Sequence, residues 1–338
     1  MKKITKTKIK NFIIFYGFVF THLILAKNLL LNEDIEFFDC KATTRAPSIA
    51  DLVRLLDSNY DVSKLKVLGT VEKGKAVVTF LEDDRGNKFC VRQITRITER
   101  AEFGFVREVV ASYIAESANI PVTSVRIIPK DLWFPGKKFQ GRLGTLQMYA
   151  PGEIKSDLHL EQRMKSTVPE KEKGLTRNII RQMASHPDLP LIVAYDTFIS
   201  NPDRSGNNLF YDETTNCFCG IDLELAFKMP AERRDLGYYA CLRILEMILQ
   251  KVKLNQKELN ALQLYTQTLQ ELYDKNQPAQ LYKNLKRIAI QAGYFTNANE
   301  VDRKFEGYKD KISRQYASVK ILLDLLAVFI KSHGGAVN

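Results

Sequence analysis

Cysteine is scarce in this 338-residue chain: Cys40, Cys90, Cys217, Cys219 and Cys241 are all there are. An odd, low count excludes a disulfide-built scaffold. Cys217 and Cys219 flank a single residue on an expected strand. Their side chains therefore share one face and are poorly placed to join each other. No set of cysteines and histidines has the spacing of a zinc site. The four histidines, His22, His159, His186 and His333, lie away from the strongest motif, so histidine acid–base chemistry is not indicated. Low-complexity tracts and internal repeats are absent as well. No apolar run reaches the roughly 20 residues that a membrane-spanning helix needs.

The longest uncharged apolar stretch, Phe12 to Ala26, has a distinctive setting. Lys2, Lys3, Lys6, Lys8 and Lys10 precede it. A basic segment followed by an apolar run is the pattern of a secretory signal. Ala26 suits cleavage, whereas Ile24 stands where a second small residue is preferred, so an uncleaved N-terminal anchor is the alternative. Residues 1–26 are accordingly expected to direct export or hold the protein at a membrane. The whole chain carries +11, and removing those five lysines leaves +6. A mildly basic body favours acidic partners, including membrane surfaces. Nucleic acid is not an expected partner. With 45% hydrophobic and 26% charged residues, the chain has the balance of a globular protein with a sizeable core.

Residues 27–62 read as a helical lead-in. Lys66–Gly69, Ala76–Phe80 and Phe89–Ile94 read as three strands, with the turn-rich Asp83-Asp84-Arg85-Gly86-Asn87 between the last two. A helix follows over about 101–118, with Phe105, Val109, Tyr113 and Ile114 as its apolar stripe and Asn119-Ile120-Pro121 as its stop. Two further strands are expected at 122–128 and 143–149, ending at the Pro151-Gly152 break. Beyond it the chain is mostly helical. Residues 153–185 read as an exposed connection plus a helix, 189–200 as an apolar helix, and 201–227 as a loop and hairpin. Amphipathic helices fill 235–338, the last including Val319 to Lys331. The fold class is thus α+β: an N-terminal part over 63–148, with an antiparallel sheet and one helix, and a larger helical part over 149–338.

The chemistry concentrates in one segment. Asp203 and Asn208 stand five apart in the loop Asn201-Pro202-Asp203-Arg204-Ser205-Gly206-Asn207-Asn208. Asn208 opens a strand, Asp212 to Asn216 form a turn, and Cys217 to Ile221 return as a second strand ending in Asp222. A hairpin of that length brings Asn208 and Asp222 together at its open end. Hard oxygen donors of this kind suit magnesium or manganese bound with phosphates. The remaining carboxylate, Asp203, can orient a hydroxyl nucleophile and accept its proton, which completes the set that phosphoryl transfer needs.

Asp196…Asn201-x-Asp203-Arg204-x-x-x-Asn208-Leu209, followed by Ile221-Asp222 and Ala226-Phe227, resembles the catalytic and metal-binding segments of the phosphoinositide 3/4-kinase, HipA and actin-fragmin kinase group, atypical members of the protein-kinase fold. The resemblance implies a two-lobed kinase-like fold that uses ATP with Mg2+ or Mn2+. It implies Asp203 as catalytic base, Arg204 beside it as a supporting partner, Asn208 and Asp222 as metal ligands, and Asp196 as a buried structural carboxylate.

By the same analogy a basic residue on the third strand meets the nucleotide phosphates and a glutamate on the next helix holds it. Glu108 fits the glutamate. Arg92 stands where lysine is expected. Either Arg92 serves, or Lys73 or Lys75 reaches in from the loop that starts at Gly69, or the site has lost activity. Gln147, Met148 and Tyr149 would offer backbone groups to adenine. Within two positions of Asp222 the family usually has a small residue, and here Leu223-Glu224 follows. Three activities are compatible with this pattern: phosphate transfer to a protein or phosphoinositide hydroxyl, a secreted pseudokinase that binds without turnover, and transfer of AMP. Lys228, Arg233 and Arg234 are candidates for contact with an acidic lipid head group.

Overall fold

The structure is a computed structural model. It describes residues 49–57, 59–73, 76–94, 99–129, 132, 134, 144–150, 152–154, 179–201, 204, 208–223, 226–227, 244, 248, 252–291 and 298–333. Residues 1–26, the expected signal or anchor, and most of the lead-in fall outside these. So do Gly74, Lys75, Asp203, Glu224, Lys228, Arg233 and Arg234. Among the described residues no helix is long and apolar enough to cross a membrane.

Strands β1 (Lys66–Lys73), β2 (Ala76–Glu82) and β3 (Lys88–Ile94) lead into helix α2 (Glu99–Ser117), then β4 (Val125–Ile127) and β5 (Gly144–Met148). They form one antiparallel sheet in the order β1-β2-β3-β5-β4. This is the α+β, two-lobed kinase-like arrangement expected above. β1 runs four residues further than expected. Gly69 therefore sits within the strand, at a register irregularity beside Val67, and not in a loop. Asp83 closes the β2–β3 turn by accepting from the Arg85 and Asn87 amides, as an Asx-type turn requires.

The sheet's two faces differ. Leu81, Phe89, Val91 and Leu146 point one way and pack with Leu52 and Leu55 of α1 (Ile49–Leu55) in a compact cluster. The part of the lead-in that is described thus roofs the sheet. Arg54 ties it down through Asp83 and Asp84. Burying each leucine contributes about 1.5–3 kcal/mol, so α1 is an integral layer. The opposite face carries Cys90, Arg92, Thr145 and Gln147, placed there by the cross-strand pairs Cys90–Gln147 and Arg92–Thr145.

α2 is buried along Phe105, Val106, Val109, Val110 and Ile114. Tyr113 departs from the expected stripe: it is exposed, with the Arg126 guanidinium 4.3 Å from its ring centroid. Asn119 adopts a left-handed φ of 52° and ends the helix as expected.

The helical part is built around α3 (Asp188–Ile199), in which every residue is buried. A helix apolar on all sides belongs in the middle of a lobe. α4 (Gln256–Lys275) packs against it, α5 (Pro278–Gln291) packs against α2, and α6 (Ala298–Ser332) packs against α3, α4 and α5. α4 opens with a reciprocal cap between Asn255 and Glu258. A small sheet of β6 (Glu153–Ile154), β7 (Leu209–Asp212) and β8 (Cys217–Gly220) supplies the expected hairpin. Gly152, at φ 85°, lets β6 approach β7; a Cβ there would lie 2.1 Å from the Tyr211 carbonyl oxygen.

Candidate active site

The site begins where α3 ends. Ser200 takes a left-handed conformation (φ 52°, ψ 51°), and the Asn201 amide donates to the Asp196 carbonyl. The chain is thereby turned back toward Asp196. Arg204 enters the interior and is 2% exposed. Its Nε and Nη2 donate to the two Asp196 carboxylate oxygens at 2.8 and 3.0 Å. Its Nη1 donates to the carbonyls of Asn208 and Ile221, both at 2.7 Å. Asn201 Nδ2 adds a third donor to Asp196, at 3.0 Å. Burial alone would lower the Arg204 pKa; the Asp196 carboxylate more than offsets it, so the net direction is up.

Arg204 therefore does not reach toward reacting atoms. It clamps the two backbone positions on which the expected metal ligands stand, one at Asn208 and one immediately before Asp222. Gly220 makes room for it: a Cβ there would stand 2.9 Å from Arg204 Nη1 and 3.0 Å from Val122 Cγ1. The Ile221 amide donates to the Asn208 carbonyl at 3.0 Å, closing the open end of the hairpin. Asn208 and Asp222 are brought together as their spacing predicts.

At the other end of the hairpin, Asp188 Oδ2 accepts from the Phe218 amide at 2.8 Å. Asp188 is buried, and burial pushes its pKa up against the opposing hydrogen bond from Phe218 and the nearby His186. Sequence reasoning missed this anchor. Its one signal was an acidic residue in the first turn of an otherwise apolar helix. The β8 strand is also stitched to the first sheet's connection, with Gly220 N–H donating to Pro121 O and Thr123 N–H donating to Gly220 O, both at 2.9 Å.

Asp222 itself has φ 59°, in the left-handed region that Asp and Asn adopt more readily than other non-glycine residues. Its Oδ1 is buried and makes no hydrogen bond among the described residues. Arg92 Nη1 lies 3.8 Å from it. A buried carboxylate oxygen in need of a partner, next to an asparagine, fits a divalent metal that takes few protein oxygens. Arg92 also donates to Glu108 at 2.7 Å, and Glu108 is fully buried. Of the three candidate cations, Arg92 is the one that the structure pairs with Glu108. The side chains of Lys73 and Lys75 lie outside the described residues, as does Asp203.

Gln147, Met148 and Tyr149 lie where the chain leaves β5, beyond Cys90. The amides of Met148 and Tyr149 donate to Ser124 O and Lys88 O, so these two N–H groups are already engaged. What this stretch offers a purine is apolar surface at Tyr149, whose ring meets Phe80 edge-on at 5.8 Å. The Cys90 and Cys219 thiols are both pushed up to about 12 by burial, which makes neither a nucleophile near neutral pH.

No family model matches the chain and no curated protein matches it. Among solved structures it is similar to the proinflammatory kinase CtkA of Helicobacter pylori, at 12% identity and a TM-score of 0.41, over 80% of this chain and 96% of that one. It is also similar to an aminoglycoside phosphotransferase of Alicyclobacillus acidocaldarius, at 13% identity and TM-score 0.25, over 84% and 98%. A third match is the MAP kinase LmaMPK10 of Leishmania major, at 10% identity and TM-score 0.27, over 80% and 98%. Superpositions this loose assign no role to any residue.

Proposed function

We propose that this chain is an ATP-dependent phosphotransferase of the atypical, phosphoinositide 3/4-kinase-like kind, acting on a protein or phosphoinositide hydroxyl. The observation that carries the reading is the convergence of Asp222, Arg92 and Glu108 at one place. A buried carboxylate oxygen with no hydrogen bond among the described residues lies 3.8 Å from a cation that is itself held by a buried glutamate.

Asn208 and Asp222 would hold the Mg2+ or Mn2+. When bound, that ion neutralises charge on the transferring phosphates. Arg92, aligned by Glu108, forks onto the nucleotide phosphates, a geometry that guanidinium supports well. The acceptor hydroxyl attacks the γ-phosphorus and its proton passes to Asp203. The bond from that phosphorus to the bridging oxygen breaks, and ADP leaves with the electron pair. Arg204 keeps the two ligand positions in register from behind. Export or anchoring by residues 1–26 belongs to this reading and implies action outside the cytosol of the producing cell.

The test is to incubate the purified chain with γ-labelled ATP and magnesium or manganese beside Asp203→Ala and Asp222→Ala. Label transfer or ATP turnover in the parent and its loss in both variants is the expected result. Turnover that persists in Asp203→Ala would sink the reading. A second reading, a binding protein without turnover, is favoured by the arginine at position 92. Metal-dependent ATP binding with no turnover would identify it. Transfer of AMP would leave the acceptor unlabelled by γ-labelled ATP and label it in a parallel reaction with α-labelled ATP.

A further inference from the structure

We infer that Tyr308, on the long C-terminal helix α6, is a positioning residue for the Arg92–Glu108 pair, so that the end of the chain sets the geometry of the phosphate-binding cation. The inference rests on the phosphotransferase reading only for its nucleotide arm.

Glu108 and Arg107 are neighbours on α2 and serve different partners. Glu108 meets the sheet through Arg92. Arg107 meets the helical lobe: its Nη1 donates to the Tyr308 hydroxyl at 3.0 Å, and its guanidinium carbon lies 5.6 Å from the centroid of the same ring. Successive residues on a helix point about 100° apart. Fixing the direction of Arg107 therefore fixes that of Glu108. The contact spans 201 positions in sequence. Tyr308 is itself held, with Phe305 one turn before it, fully buried in the large core, 5.9 Å away ring to ring.

The rest of α2 is bound in the same sense. Tyr195 of α3 donates to the Ala111 carbonyl at 2.7 Å, and Lys275 of α4 donates to the Ser117 carbonyl at 2.9 Å. Val106, Val109, Val110, Ile114 and Ala115 share one continuous core with α3 to α6. On the sheet side Phe105 shares a smaller cluster with Ile94. α2 from Val106 onward thus takes its position chiefly from the helices behind it, and the sheet's arginine meets a glutamate whose place is already set.

The measurement is a double-mutant cycle on Mg·ATP affinity in the full chain, with Tyr308→Ala, Glu108→Gln and the pair. Tyr308→Ala is expected to weaken binding about fivefold, within the usual range for residues that modulate a site without touching its ligand. Tyr308→Phe, which keeps the ring, is expected to weaken it less. In the Glu108→Gln background Tyr308→Ala should add nothing, because its effect passes through Glu108. Additive losses would overturn the inference. Hydrogen exchange gives a readout that needs no nucleotide. Amides 104–110 should exchange faster in Tyr308→Ala, with those of β1 to β3 unchanged. Unchanged exchange at 104–110 would overturn the inference even if the phosphotransferase reading stood. A parent chain that binds no Mg·ATP would sink that reading and leave the exchange result to decide this one.

Discussion

Two arginine–carboxylate pairs lie a short way apart in this molecule, and they are built differently. Arg204–Asp196 is closed. The guanidinium makes four hydrogen bonds of 2.7–3.0 Å, two to the carboxylate and two to carbonyls, and Asn201 adds to the Asp196 side. Arg92–Glu108 is not self-contained. Beyond its bond to Glu108, Arg92 also faces Asp222, at a distance too long for a hydrogen bond. Arg204 is tied to the backbone at Asn208 and Ile221 and serves as a structural fixture. Arg92 stands between two carboxylates, Glu108 and Asp222, where the nucleotide is proposed to bind. Both contain the residue types expected at a kinase-like site, and only the three-dimensional hydrogen bonding separates the clamp from the proposed nucleotide side.

The sharpest way to break this comparison is to put lysine in both places. Arg204→Lys cannot reproduce the fork and should lose about 3 kcal/mol or more in urea denaturation. Arg92→Lys keeps its charge beside Glu108 and should lose about 1 kcal/mol. Equal losses would erase the distinction. Next in size is Gly220→Ala. The added methyl would press on Arg204 and Val122 and should lower stability by about 1–3 kcal/mol, read from the same denaturation curves. A smaller, pH-dependent effect belongs to Asp188, behind the hairpin. Its folded pKa is raised, so the native state holds the proton more tightly than the unfolded chain. Stability from this group is therefore present below the ordinary carboxylate pKa and is lost as pH rises through the raised value. The urea midpoint of the parent should fall relative to that of Asp188→Asn across this window. A constant difference between the two would contradict the assignment.

Much of the sheet was legible because β2 alternates inward and outward and Asp83 to Asn87 spell a turn. The hairpin that joins Asn208 to Asp222 was legible for the same reason: turn residues between two short apolar runs. Tyr113 was misread because helical spacing alone does not tell a core position from one beneath Arg126. The reach of β1 through Gly69 was missed because glycine signals a loop locally, while pairing with β2 overrides it. The inward turn of Arg204 and the contact between Arg107 and Tyr308 had no local pattern to read, and the anchor at Asp188 had only a first-turn carboxylate to mark it. They are set by partners far away in sequence.

The central claim is a nucleotide–metal site at Asp222, and calorimetric titration of ATP with and without magnesium, in the parent and in Asp222→Asn, tests it most directly. Asparagine tolerates the left-handed backbone there and removes the unbonded carboxylate charge. The variant should therefore stay folded, with its stability within about 1 kcal/mol of the parent, and lose the magnesium-dependent part of ATP binding. Binding that keeps its full magnesium dependence in a folded Asp222→Asn protein would contradict the account.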